Sequence, residues 1–339
     1  MIEILSNGAP NVIQDLGRHG CLRFGVSRSG AMDPFALSIG NALVGNDRGE
    51  AGIEISLFPF RVKFHEPTRF AVTGADARAS LDERRLAPWW GRSASAGQTL
   101  VIERPRRGAR AYLAIGGGIN VASVMGSKST DLKGSFGGAS GRGLMRGDRL
   151  DSGNAQSRSE RPWDVGLGVV PEGLLAFWAE VGTGCVRVRV LPAAEFQRFT
   201  PDSRTAFLQQ TFKVTPDANR VGYRLNGPVL SQAEPVELLS HGIVAGTIQV
   251  PPSGQAIVQL AEANTCGGYP KIATVIEADL WKLSQAPVGC AIRFELTDID
   301  TAVTALGARR DEEQRIRDTL AMMSGRAWTR GCPTYPERK

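Results

Sequence analysis

Residues 185–191 read CVRVRVL, with Val186, Val188 and Val190 alternating against Arg187 and Arg189. A period of two puts the valines on one face and the arginines on the other, which is a β-strand with one side buried. Downstream, TIQV (247–250), AIVQLA (256–261) and AIRFEL (291–296) are further strand runs. Upstream, FRVKFHE (60–66), TRFAVTG (68–74), QTLVIE (98–103) and ARAYLAIGG (109–117) are short β runs bounded by turn residues. The 40 glycines and 19 prolines among 339 residues supply the turns that so many short strands require, so the chain reads as mainly β.

Helices are few. DPFALSIGNALVGN (33–46) offers Asp33 as a cap, Pro34 where an amide would go unpaired anyway, and Phe35, Ile39 and Leu43 one turn apart. TPDSRTAFLQQ (200–210) repeats the pattern with Thr200 and Pro201. Between them, DSGNAQSRSERPWD (151–164) is polar and poor in β formers, as an interdomain linker would be. The expected division is a β domain over 1–155, a second over 156–302 and a helical tail over 303–339, where Ile316, Leu320 and Met323 form an apolar stripe. Closing each half into a barrel would remove the exposed strand edges. The last residues, 325–339, read as a loosely held end.

Composition narrows the function. A net charge of +6 is modest, and its densest basic run, RPRRGAR (104–110), has no interleaved aromatics and reads as a hairpin connection rather than a nucleic-acid surface. Five widely spaced cysteines without a CxxC pair argue against a disulfide framework or thiolate zinc site. The start lacks a basic leader and apolar core, and no apolar run reaches membrane-spanning length, so the expected compartment is the cytoplasm. GSKST (126–130) lacks the glycine spacing of a phosphate loop, and GVSRSG (25–30) misses the nucleophile elbow by one position. His19, His65 and His241 fall in no metal-ligand spacing, so no metal centre is expected.

Four polar clusters remain: QDLGRHG (14–20), SGAMDP (29–34), ANRVGYRL (218–225) and EANTCGGYPK (262–271). Arginine's five-donor fork suits a planar carboxylate, and asparagine's donor and acceptor suit an amide or ureido group. Asp15, Arg18, Asn219, Arg220, Arg224, Asn264, Thr265, Tyr269 and Lys271 are therefore candidate contacts for a small planar ligand. The alternative is structural: Asp15 pairing with an arginine, Asp33 capping its helix, Arg220 or Arg224 crossing a barrel end. Cys266 has no histidine near it in sequence and reads as a small buried residue unless folding brings His19 or His241 close.

These clusters, with GAMDPFALSIGNALVGN (30–46), FAVTGAD (70–76), AYLAIGGGI (111–119), GSKSTD (126–131), GTIQVPPSGQAIVQLA (246–261) and GGYPKIATVIEADL (267–280), follow one another in an order that resembles the biotin-dependent carboxyltransferase, or allophanate hydrolase subunit 2, family. That family includes the C subunit of the ATP-dependent 5-oxoprolinase and the antagonist of a sporulation-kinase inhibitor. The resemblance spans about residues 1 to 300. It implies two cyclophilin-like β-barrel domains and a separate subunit-1 homologue as partner. It further implies a role in moving a carboxyl group from carboxybiotin, held on a carrier protein rather than on this chain, to a urea- or amide-like acceptor. The alternatives it carries are lactam opening, with ATP used through partner subunits and a lactam-utilisation protein, or a non-enzymatic regulatory module binding a kinase-inhibitor protein. A biotin carboxylase or carrier would be a further partner in the first case, and the isolated chain is expected to be inactive.

By motif, the resemblance assigns Gln14, Asp15 and Arg18 to the family's opening loop and Asn219, Arg220 and Arg224 to its Asn-Arg motif. Gly267, Gly268, Tyr269 and Pro270 match its Gly-Gly-Tyr-Pro loop. Expected catalytic residues are Arg220, Asn264, Tyr269 and Lys271; expected substrate-binding residues are Gln14, Asp15, Arg18, Asn219, Arg224, Thr265, Gly267 and Gly268. Three positions depart from the family pattern: His19 stands where proline is usual, His241 where an acidic residue is common, and EANTC (262–266) where Asp-x-Gln-Thr-Thr is expected.

Overall fold

CVRVRVL forms the strand Cys185–Pro192, the seam of a closed seven-stranded barrel. Round the barrel it is followed by Lys271–Val275, Thr247–Gln249, Ile257–Gln259, Gly222–Asn226, Phe212–Val214 and Ala291–Leu296. Closure comes from a parallel pairing, Cys185 with Ala291 through Val190 with Leu296, whereas every other pair in the ring is antiparallel. Val186, Val188 and Val190 are fully buried, as their alternation requires. The helix Pro201–Gln209 is capped by Thr200 and delivers Phe207 against Phe294, ring centroids 4.8 Å apart, beside Phe212. The structure is a computed structural model describing residues 1–6, 11–153, 166–234 and 238–323.

The first half is built differently from the ring that follows it. Two six-stranded sheets share one core, with Ile2, Ile4, Val62 and Phe64 from one sheet meeting Ile13, Ile53, Phe70 and Leu113 from the other. The second sheet is covered on its other face by α1, Pro34–Val44, so its strands Gly52–Ile55 and Ala111–Ile115 are buried at every residue. Asp33 accepts from the Ala36 amide at 3.1 Å and Gly45 ends the helix in the left-handed region, as the sequence implies. RPRRGAR does not join a hairpin: it carries the chain from Thr99–Ile102 in one sheet to Ala111–Ile115 in the other, because those strands pair with different neighbours.

The expected boundary near 155 lies outside the described residues. Beyond it, Leu167–Gly168 still pairs with the first half's strand Trp90–Ala94, before α2 (Leu174–Thr183) begins. After the short α3 (Pro201–Gln209) and α4 (Leu280–Gln285) comes α5, Ile299–Met323, longer at its start than the expected tail. It packs back on α1, where Glu313 accepts from Ser38 Oγ and Arg48 Nε, both at 2.5 Å. Arg309 lies 3.5 Å from the Phe35 ring centroid and 4.7 Å from that of Trp281, a cation sandwiched between a residue of each half. Residues 325–339 lie outside the described residues.

Candidate functional site

The two halves meet on a buried ionic seam. Arg220 is 6% exposed, and its three guanidinium nitrogens all have partners: Nε on Glu262 at 2.7 Å, Nη1 on Glu54, and Nη2 on the Gly30 carbonyl at 2.6 Å. Glu54 in turn accepts from the Met32 amide and the Tyr112 hydroxyl, each at 2.8 Å, and lies 3.7 Å from Arg110. Burial pushes the Glu54 carboxyl up, but the charges of Arg220 and Arg110 and its hydrogen bonds outweigh it and leave it below the usual range. Glu262 goes the other way, because burial exceeds what Arg220 returns and Asp131 and Glu54 repel its charge. Arg220 therefore links the two halves, with each of its guanidinium nitrogens already engaged by a protein acceptor.

On one side of the seam opens a cleft of about 840 Å³. Its basic wall carries the exposed Arg104, Arg106 and Arg107, with Arg110 and Lys133 beside them; Asn219, Val214 and Pro287 belong to the facing barrel. On the other side lies a more apolar cleft of about 700 Å³, where His19, Arg28 and Asn264 face the start of α1 and the flank of α5. Lys133 Nζ contacts Asn264 Oδ1, tying the loops between the clefts. Burial and the nearby Arg28 both hold the His19 imidazolium below its ordinary value.

The opening-loop residues form a separate internal cluster. Asp15 accepts from the Gly17 and Lys128 amides and from Ser127 and Ser129 hydroxyls, at 2.6 to 2.7 Å. GSKST is thus wrapped round a carboxylate, and its Lys128 Nζ sits on Glu50 at 3.0 Å. Arg18 is 1% exposed, donates to the Val124 and Ser129 carbonyls and stacks 4.5 Å from the Phe136 ring centroid. Gln14 is fully buried and donates to the Thr130 carbonyl at 3.0 Å. Gly17 and Gly30 touch backbone to backbone: a Cβ on Gly30 would stand 2.8 Å from the Gly17 nitrogen, and both take positive φ.

The remaining candidates sit on the barrel. Asn219 makes its own turn, its Oδ1 accepting from the Val221 amide at 2.9 Å, while Arg224 projects from the barrel wall into solvent. Thr265 gives its carbonyl to the Ile243 amide, at the end of a two-stranded ribbon in which His241 pairs with Gly267 and Gly242 with Cys266. Gly268 follows, packed against the Leu238 carbonyl, and Tyr269 is 48% exposed. Lys271 is 8% exposed, its ammonium against His241 Nε2, and His241 Nδ1 faces the Leu239 carbonyl at 2.9 Å. Burial pulls the Lys271 ammonium below the usual lysine range, with Glu195 opposing. Cys266 is exposed rather than buried, and the histidine that folding brings to its ribbon is engaged by Lys271.

Residues 24–296 match the family described as carboxyltransferase domain, subdomain A and B. This chain belongs to that family. It is 41% identical over 321 residues to the 5-oxoprolinase C subunit of Escherichia coli strain K12, covering 95% of this chain and 98% of that relative. It is 33% identical over 304 residues to the urea amidolyase of Saccharomyces cerevisiae, which takes in 86% of this chain but 16% of the yeast protein. Kluyveromyces lactis urea carboxylase superposes with a TM-score of 0.82 at 26% identity, over 93% of this chain and 29% of its own. The carboxyltransferase domain thus occurs both as a chain of this length and as a segment of much longer enzymes.

Sequence reading missed Glu54, Arg110 and Glu262 as a charge network and Gln249 and Gln259 as a buried amide pair. Glu54 left a signal, a lone carboxylate in the apolar run GIEI (52–55). The glutamines left a fainter one, each interrupting a strand of apolar residues.

Proposed function

We propose that this chain is the carboxyltransferase-family subunit of a 5-oxoprolinase-type complex, which opens the lactam of 5-oxoproline to glutamate with ATP consumed on partner subunits. The observation that carries this reading is the end-to-end likeness to the 5-oxoprolinase C subunit, which leaves almost none of either chain unmatched. The basic interdomain cleft suits it, since 5-oxoproline and glutamate both carry carboxylates. A subunit-1 homologue and a lactam-utilisation protein would complete the enzyme. Co-purified with those two subunits, the chain should support ATP-dependent glutamate release from 5-oxoproline. ATP hydrolysis without glutamate, or equal turnover when this chain is omitted, would refute the proposal.

A second reading, carboxyl transfer from carboxybiotin to an amide-like acceptor, draws on the close superposition with urea carboxylase. It would require a biotinylated carrier protein for turnover, and turnover in the presence of avidin would exclude it.

A further inference from the structure

Gln249 and Gln259 project from neighbouring barrel strands, are 4% and 6% exposed, and are joined by a hydrogen bond of 2.9 Å from Gln259 Nε2 to Gln249 Oε1. That bond leaves Gln249 Nε2 and Gln259 Oε1 enclosed and without a protein partner. Reversing both amide assignments leaves the same inventory, one spare donor on one glutamine and one spare acceptor on the other. A buried amide atom without a partner costs about 1–3 kcal/mol, so a polar group that reached this donor and this acceptor together would recover that cost.

The surroundings are equally specific. Gln249 is paired in register with Lys271, whose ammonium touches His241, and His241 is paired with Gly267. Gly267 closes the circuit: a Cβ there would stand 2.6 Å from Gln249 Nε2, so a side chain at this position would push the amide aside. The ribbon is short, two ladder pairs extended by the Ile243 amide on the Thr265 carbonyl and by the Lys271–His241 contact.

We propose that the Gln249–Gln259 pair is a recognition subsite for a cyclic cis-amide, whose carbonyl oxygen accepts from the spare donor and whose N–H donates to the spare acceptor on the same edge. This deepens the reading above, on which it rests for the natural ligand. A lactam ring and the ureido ring of biotin both present that edge, so the chemistry is shared and the source is settled by experiment.

Binding to the full chain would be measured by calorimetry with 5-oxoproline, 2-pyrrolidinone and biotin methyl ester. Ligand binding lost at least tenfold in Gln249→Leu and Gln259→Leu, with both variants retaining the wild-type melting temperature within a few degrees, is the expected result. Gln249→Glu keeps acceptors but loses the donor, so under either amide assignment it removes the spare donor or the bond that orients Gln259, and it should bind as poorly as Gln249→Leu. Preference for the lactams identifies the source as 5-oxoproline, and preference for the biotin ester identifies a carboxyl carrier. Unchanged affinity in all three variants, or a crystal structure in which one fixed water bridges the two amides and persists at saturating lactam, overturns the subsite. Failure of the reconstituted complex to release glutamate, with glutamine-dependent binding intact, would overturn the functional reading and leave the subsite standing.

Discussion

Replacing Arg220 separates a structural link from a ligand contact. In Arg220→Met the apolar bulk survives, but Glu54 and Glu262 lose their shared cation and the Gly30 carbonyl loses a donor. Removing one partner of a buried ion pair costs about 3–5 kcal/mol, because the remaining charge is left uncompensated. With about 2–4 °C per kcal/mol for domains of 150–250 residues, the melting temperature should fall on the order of 10 °C. Arg224→Met, exposed on the barrel strand that follows Arg220, should stay within about 0.5 kcal/mol of wild type. The deficit should also depend on pH. Without Arg220 both carboxyls lose a charge that lowered them, and Glu262, already raised by burial, holds its proton in the folded state above its unfolded value of about 4.3. The folded variant then binds more protons than the unfolded chain between those values, and its stability falls as pH rises through that window. Calorimetric scans at pH 5 and pH 8 should therefore show the larger gap from wild type at pH 8. A variant that melts with wild type at both pH values, yet has lost activity in the reconstituted complex, would refute the argument and return Arg220 to the ligand.

Lys271 is the reverse case. Burial lowers its folded pKa beneath the unfolded value near 10.4, so the unfolded chain binds more protons in that interval and stability should rise with pH across it. Lys271→Met should flatten that rise in denaturant titrations between pH 7 and 10.5; an unchanged slope would place the cause elsewhere. Gly267→Ala pushes on the far end of a flexible side chain, so melting should move by less than about 1 kcal/mol equivalent while lactam affinity drops several-fold as the Gln249 amide is displaced. Glu313→Ala removes the acceptor for Ser38 and Arg48 and should cost about 2 kcal/mol by chemical denaturation, showing that α5 clamps α1 rather than trailing from the barrel.

What the sequence disclosed and what it withheld follow from the range of the forces involved. The valine alternation at 186–190 and the Asp33-Pro34 and Thr200-Pro201 starts are local, and each element stands where its own residues dictate. Sheet closure depends on which distant strands pair, so the sequence could not separate a ring from two facing sheets. The same distinction governs the site. Asp15 and Arg220 were legible as polar residues in turns, but whether they had donors and acceptors to spare depended on partners at separations such as Ser129 and Glu54. The glutamines make the case most sharply. Gln249 and Gln259 each sit in a strand whose other residues explain it. Only the hairpin register, Ile248 with Val258 and Gln249 with Ile257, makes them diagonal neighbours on one face. A one-residue slip would turn one amide away from the other and leave four unpaired valences apart instead of one donor and one acceptor together. The chemistry offered to a cis-amide thus belongs to the register, and a strand-shifting insertion between residues 250 and 256 should abolish binding even with both glutamines retained.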